Sequence, residues 1–312
     1  MARQIIDIDT IQSNGKKGDP ARLMAQKVND NFAEIYPLVH DLNASGGRNM
    51  LINCGVPINQ RGFAGGVLTA GVYGYDRWKA GTGGCNVAIS ATTGVFTHTS
   101  GPLQQVIEAP DMAWGQPLTI SVENPSAAVT VNVGGVTGTI TAGSGRRGVT
   151  ITPSGSGNMT VQLMATAATY SRPQLERGTN ATVFDARPQA LELMLCQAYF
   201  ETSFNLGVAP SGGAAAGDTI AGAFSTGQAR TARILFRVKK RAVPALTLYT
   251  SAAVTAGTAF WALFNGTAWA RGNATAIGFN ASGFGVQIDM GSGLTVGSSY
   301  LAAGHWVADS EI

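Results

Sequence analysis

The sequence predicts a mainly β protein: an N-terminal arm and short coiled-coil-like helix, then a β-sandwich, then a second, C-terminal β-sandwich with a leading helix. Three observations predict it. With 41 Gly, 45% hydrophobic and 12% charged residues, the composition favours many short strands joined by tight turns. The segments LTISVEN, AVTVNV, GVTITP and MTVQLMA alternate apolar and polar residues between Gly, Pro or Asn turns, as half-buried strands of a sandwich do. The 312 residues fit roughly two domains of about 100 to 200 residues with some chain left over.

At the N-terminus Ile6, Ile8 and Thr10 alternate with Asp7 and Asp9, which predicts a short strand with one buried face. SNGKKGDP reads as a turn. Asp19 followed by Pro20 reads as a helix start, the carboxylate capping free N–H groups and the proline taking the first helical position. Ala21, Ala25, Val28, Phe32, Ile35, Val39 and Leu42 then recur at steps of four and three, the spacing of a coiled-coil seam. By spacing alone, an amphipathic helix packed on its own chain fits as well. Pro37 predicts a kink after Tyr36, and residues 43–47 a hinge.

The stretch SRPQLERGTNATVFDARP, Ser171 to Pro188, reads as irregular backbone between two domains, because each proline drives its predecessor extended and Gly178 offers a turn. Upstream, Asp76 and Arg77 are expected to pair at a domain edge while Trp78 fills the core. Downstream, Leu191, Met194, Leu195 and Ala198 predict one helix with an apolar face. RVKKR, 237–241, reads as a solvated turn and His305 as a structural hydrogen-bonding residue. Phe260, Trp261, Phe264, Trp269 and Phe279 crowd FWALFNGTAWARGNATAIGF. Aromatic faces stack on sugar C–H faces, so Trp261, Trp269 and Phe264 are the candidate receptor anchors. Strand aromatics also commonly face a core, and both readings stand.

A net charge of +3 argues against nucleic acid as a general partner. No apolar run approaches the roughly 20 residues needed to span a bilayer, and MARQIIDIDT is acidic where a signal peptide is apolar, so folding in a cytoplasm without membrane insertion is expected. Cys54, Cys85 and Cys196 lack CxxC spacing and read as reduced, packed thiols. The three histidines His40, His98 and His305 are scattered, and no GxSxG, HExxH or phosphate-binding loop is present. We therefore expect no enzyme activity, no metal and no cofactor. Spacing does not exclude a carboxylate pair for glycoside hydrolysis.

GDPARLMAQKVNDNFAEIY is similar to the G-D-P-x-R-x-A-x-x-K-x-N-x-N-F-x-E-[IL]-Y segment of bacteriophage tail fibre and receptor-binding tail proteins. RNMLINCGVPINQRG and VYGYDRW resemble the opening of their jelly-roll domain, with Cys54 and Val56 departing from the usual glycine and aromatic. QLERGTNATVFDARP resembles its closing strand. ARPQALELMLCQAYF and the ending WVADSEI resemble their distal domain.

The resemblance implies an N-terminal virion-attachment arm and trimerising helix over 1–47, a jelly-roll β-sandwich over 48–188 and a distal receptor-binding β-sandwich over 189–312. It implies a homotrimer, with Val28, Phe32, Ile35, Val39 and Leu42 at the interface. The arm would contact other tail or baseplate proteins, and the fibre would adsorb to a host surface polysaccharide or lipopolysaccharide. The protein would sit in the virion tail after assembly in the bacterial cytoplasm. The alternatives are a purely structural baseplate or adaptor subunit and, third, a glycan-degrading tailspike.

Overall fold

The structure, a computed structural model, describes residues 6–11, 13–42, 47–213, 218–251 and 257–312, and of 33–42 the backbone alone. It divides into two compact units, Met1–Arg48 with Thr182–Asp185, and Asn49–Ala181 with Ala186–Ile312.

In the first unit, helix α1 (Ala21–Leu42) runs unbroken through Pro37. The strand expected over 6–10 is absent: residues 8–10 are bends. The Asp7 carboxylate accepts the Asp9 and Thr10 N–H groups, each at 3.0 Å, a local side-chain turn that competes with extended pairing. Asp19 does not cap the helix as expected. Its carboxylate accepts the Asp7 N–H at 2.9 Å and the Lys27 ammonium at 2.7 Å, which folds the arm back onto the first helical turns. Val28 is half-buried and Phe32 is 48% exposed. The side chains of Ile35, Val39 and Leu42 lie outside the described residues.

The second unit begins with the strands β1 (Gly66–Leu68), β2 (Lys79–Ala80), β3 (Cys85–Ile89), β4 (Val95–Ser100), β5 (Pro102–Ile107) and β6 (Leu118–Glu123). There follow β7 (Val129–Val133), β8 (Val136–Ile140), β9 (Arg146–Ile151), β10 (Met159–Met164) and β11 (Ala168–Arg177). One sheet has the order β1-β3-β4-β11-β6-β9 and the other β2-β5-β10-β7-β8, so from β4 to β11 the chain repeatedly crosses between sheets. Trp78, Phe96, Ile120, Val131 and Leu163 are fully buried. Trp78 is fixed by its indole N–H donating to the Asn53 carbonyl at 2.8 Å.

The first half of the expected linker is β11, a central strand. A shift in pairing between Ser171 and Gln174, with Arg172 at φ 50°, accommodates Pro173 as a bulge. Irregular backbone begins only at Gly178.

Helix α2 (Gln189–Gln197) then leads β12 (Phe200–Thr202), β13 (Asp218–Ala223), β14 (Gln228–Thr231), β15 (Ile234–Leu235) and β16 (Ala245–Thr250). The last strands are β17 (Phe260–Phe264), β18 (Trp269–Asn280), β19 (Gly283–Asp289) and β20 (Ser299–Asp309). They form one sheet that rolls up: the path β20-β13-β14-β19-β18-β17 returns to β20 through a β17–β20 pairing. Both ends of β20 take part. Residues 299–303 sit between β13 and β17, and residues 304–309 pair with β16 and β12. Trp261, Phe284, Val286, Ile288, Ala302 and Trp306 belong to the enclosed core. In α2 the expected apolar face is not the buried one, since Leu191 and Met194 are 42% and 53% exposed. The helix is docked through polar groups instead, with Glu192 accepting the Asn53 N–H at 2.9 Å and pairing with Arg187 at 3.4 Å.

Candidate functional site

Trp261, the first predicted anchor, is 2% exposed. This corrects its reading as a surface stacking platform: β17 turns this position toward the enclosed core, where the indole ring lies against Gly304 of β20. Trp269 and Phe264 face the other way. They are cross-strand partners with ring centroids 5.3 Å apart, both half-buried. Leu301 stands opposite Phe264, and Ile220 opposite Leu301. The row Ile220, Leu301, Phe264, Trp269 is therefore an apolar stripe on the outer face, with Ile220 60% exposed.

A geometry suited to a ligand lies elsewhere, around Trp114, which the sequence reading missed. Its signal was a tryptophan among the turn formers Pro110, Gly115 and Pro117, outside any strand alternation. Where β6 begins and β11 ends, Asp111, Met112, Trp114, Gln116, Pro117 and Arg177 surround an open pocket of about 380 Å³. Backbone hydrogen bonds pin this loop: Gly115 N–H to Pro153 O at 2.8 Å and Gly178 N–H to Pro117 O at 2.9 Å.

The indole itself is held at two places. Its N–H donates to the Gly157 carbonyl at 2.9 Å, and its ring edge rests on Gly134, where a Cβ would lie 2.6 Å from ring carbon Cζ3. Gly134 has φ 57°, so glycine serves both the turn and the close approach. Around the ring, the side chains of Asp111, Gln116 and Arg177 are exposed and make no hydrogen bond or ion pair among the described residues. Met112 is 71% exposed. The result is an immobilised aromatic with a carboxylate, an amide and a guanidinium available beside it.

The phrases NQRG, YDRW, QAYF and ADSEI meet in a joint between the two-sheet body and the rolled sheet. Arg77, 1% exposed, pairs with the buried Glu311 carboxylate, donates to the Val106 carbonyl at 2.5 Å and lies 3.4 Å over the Tyr199 ring. Arg61 lies 3.7 Å over Phe200 and 3.4 Å from the Asp309 carboxylate. Gln60 donates its amide to Phe200 O at 2.7 Å, and Tyr73 its hydroxyl to Ile312 O at 2.7 Å.

Asp76 does not pair with Arg77 as expected. One carboxylate oxygen accepts the Gln60 N–H at 2.7 Å and the other has no partner among the described residues. Burial pushes this carboxyl up to about 7 against the pull of the Gln60 N–H. The RVKKR turn is not solvated throughout either, because Lys240 and Glu201 form a fully buried pair at 2.6 Å. Desolvation lowers the Lys240 ammonium and its Glu201 bond works against that. His305, 4% exposed, bonds Ser203 Oγ at 3.0 Å and stacks on Phe204. Cys54, Cys85 and Cys196 are free and buried.

No protein-family model matches the chain, and no curated protein does. Among solved structures, recombinant discoidin II of Dictyostelium discoideum aligns at a TM-score of 0.20 and 12% identity, over 73% of this chain and 83% of that one. Wild-type discoidin II aligns at a TM-score of 0.20 and 12% identity over 73% and 82%. A cycloisomaltooligosaccharide glucanotransferase of Paenibacillus sp. aligns at a TM-score of 0.20 and 12% identity over 80% of this chain and 47% of that one. Likenesses this slight bear on no functional argument.

Proposed function

We propose that the chain is a bacteriophage tail fibre protein that binds a host surface polysaccharide or lipopolysaccharide without cleaving it. In this reading the N-terminal arm and α1 hold three copies together and dock on tail or baseplate proteins. The order β4-β11-β6-β9 within one sheet and β5-β10-β7-β8 within the other is that of a jelly roll, which supports the resemblance-based reading of this region. The clustering of the resembling phrases at one buried joint supports it further.

The observation that carries glycan recognition is the immobilised Trp114 with Asp111, Gln116 and Arg177 unengaged around it. A pyranose needs such an arrangement: an aromatic face for its C–H face, and donors and acceptors at the ring edge for its hydroxyls. A structural baseplate subunit is the second reading. It is favoured by the apolar row from Ile220 to Trp269, the kind of exposed sheet face that one protein presents to another.

The test is binding of purified full-length chain to an array of bacterial surface polysaccharides, with assay for new reducing ends. We expect binding that Trp114→Ala and Arg177→Ala each abolish while the chains stay folded, and no new reducing ends. Binding unaffected by both substitutions would put the glycan site away from Trp114, and failure to bind any polysaccharide of the array favours the structural subunit. Time-dependent cleavage favours the tailspike.

A further inference from the structure

We propose that the rolled sheet carries a second site, separate from the Trp114 pocket, that takes a small oxyanion: the carboxylate of a sugar acid or a phosphate monoester. A cavity of about 430 Å³ opens on this half, walled by Trp261 and Trp306 and lined by Arg233, Arg237 and Asp218. Its volume suits a single small ligand, since such sites span about 300–1,000 Å³. Three observations give it a sign.

Among the described residues the Trp261 indole N–H has no hydrogen-bond partner, although the residue is 2% exposed. A buried donor left unsatisfied is costly and calls for an acceptor. The ring is there by construction: a Cβ on Gly304 would lie 2.4 Å from the indole nitrogen, so only glycine at 304 admits it.

Arg233 spends its N–H groups on neutral acceptors, the Gly278 carbonyl at 3.1 Å, Asn280 Oδ1 at 2.6 Å and the Gly283 carbonyl at 3.0 Å. These hold the guanidinium in place, and among the described residues no carboxylate pairs with it. Arg237 is exposed, and among the described residues its side chain makes no hydrogen bond or ion pair.

On the acidic side, Glu201 also lines the cavity, but its carboxylate is already engaged. It pairs with Lys240 and accepts the Arg237 and Val238 N–H groups. Asp218 remains, exposed at the rim. Two guanidinium groups against one carboxylate, with an indole N–H in want of an acceptor, select an anion over a neutral sugar. Arg237 supplies the direct charge, Arg233 the fixed field, and the two tryptophans an apolar wall for the ring that bears the anion.

The experiment is calorimetric titration of the full chain with D-glucuronate, with inorganic phosphate and with neutral D-glucose, alongside the indole N–H resonance of Trp261. At least one anion should bind and shift that resonance, and glucose should do neither. Whichever anion binds tells a sugar acid from a phosphate. Arg237→Gln should weaken binding about 10-fold or more, the loss of one charge-assisted hydrogen bond, and Asp218→Asn should tighten it. The proposal is overturned if neither anion binds, if glucose binds as well, or if neither substitution changes the affinity.

Discussion

Asp76 shows how little of a residue's role its immediate sequence neighbours disclose. Side by side in YDRW, Asp76 and Arg77 read as a pair, yet Arg77 stands at φ 69° and sends its guanidinium to Glu311. Partners so distant leave no local mark. By contrast, the burial of Trp78 and of the three cysteines was legible, because residue type alone favours it.

The Asp76 carboxyl has a definite consequence. Unfolded, it loses its proton near the ordinary 3.8, and folded near 7, so between those values the folded state holds more protons. Its stabilising share is complete below the unfolded value and is lost as pH rises through about 7. The loss is on the order of 4 kcal/mol at most. Burial lowers the His98 imidazole, which works in the opposite sense on the acid side, so the comparison must be made against a variant. Asp76→Asn should remove most of the parent's fall in urea midpoint between pH 5 and 8; an unchanged slope would contradict the assignment.

At the scale of elements, legibility followed local physics. The alternating runs became β6, β7, β9 and β10 because alternation declares a strand without distant information, although in β6 both faces are covered, with Thr119 and Ser121 as buried as Leu118 and Ile120. Residues 6–10 show the same alternation and fail, since Asp7 satisfies nearby N–H groups itself. In β11 Pro173 suggested a linker, but Glu176 is 1% exposed within a central strand whose bulge absorbs the proline. The exposure of Trp269 against the burial of Trp261 depends on which face of β17 is enclosed, and only the closure onto β20 decides that.

That closure makes two predictions. Trp261→Ala should cost about 3–5 kcal/mol by emptying the core, whereas Trp269→Ala, on the outer face, should cost no more than about 1 kcal/mol. Gly304→Ala should cost about 1–3 kcal/mol, because the indole must leave its place. Urea unfolding of the three variants checks the order, and equal losses at Trp261 and Trp269 would count against the rolled sheet.

For the whole molecule, the joint around Arg77 and Glu311 ties the two-sheet body to the rolled sheet. Glu311→Ala would leave a guanidinium buried and unpaired, a loss of about 3–5 kcal/mol, and should appear as lower thermal stability with proteolysis near residues 178–188. The proposed trimer predicts that full-length chain sediments as three copies and that removal of residues 1–45 releases single ones. Three Trp114 pockets held together would gain roughly 100-fold or more in avidity over one if their spacing matches the polysaccharide.

The most direct measurement of the glycan reading is a titration of full-length chain with a surface polysaccharide that it binds, following the indole N–H resonance of Trp114 beside those of the other four tryptophans. The account predicts that the Trp114 signal moves at saturation, that Arg177→Ala suppresses the movement, and that Trp269 is unaffected. A titration in which Trp269 moves and Trp114 does not would contradict it.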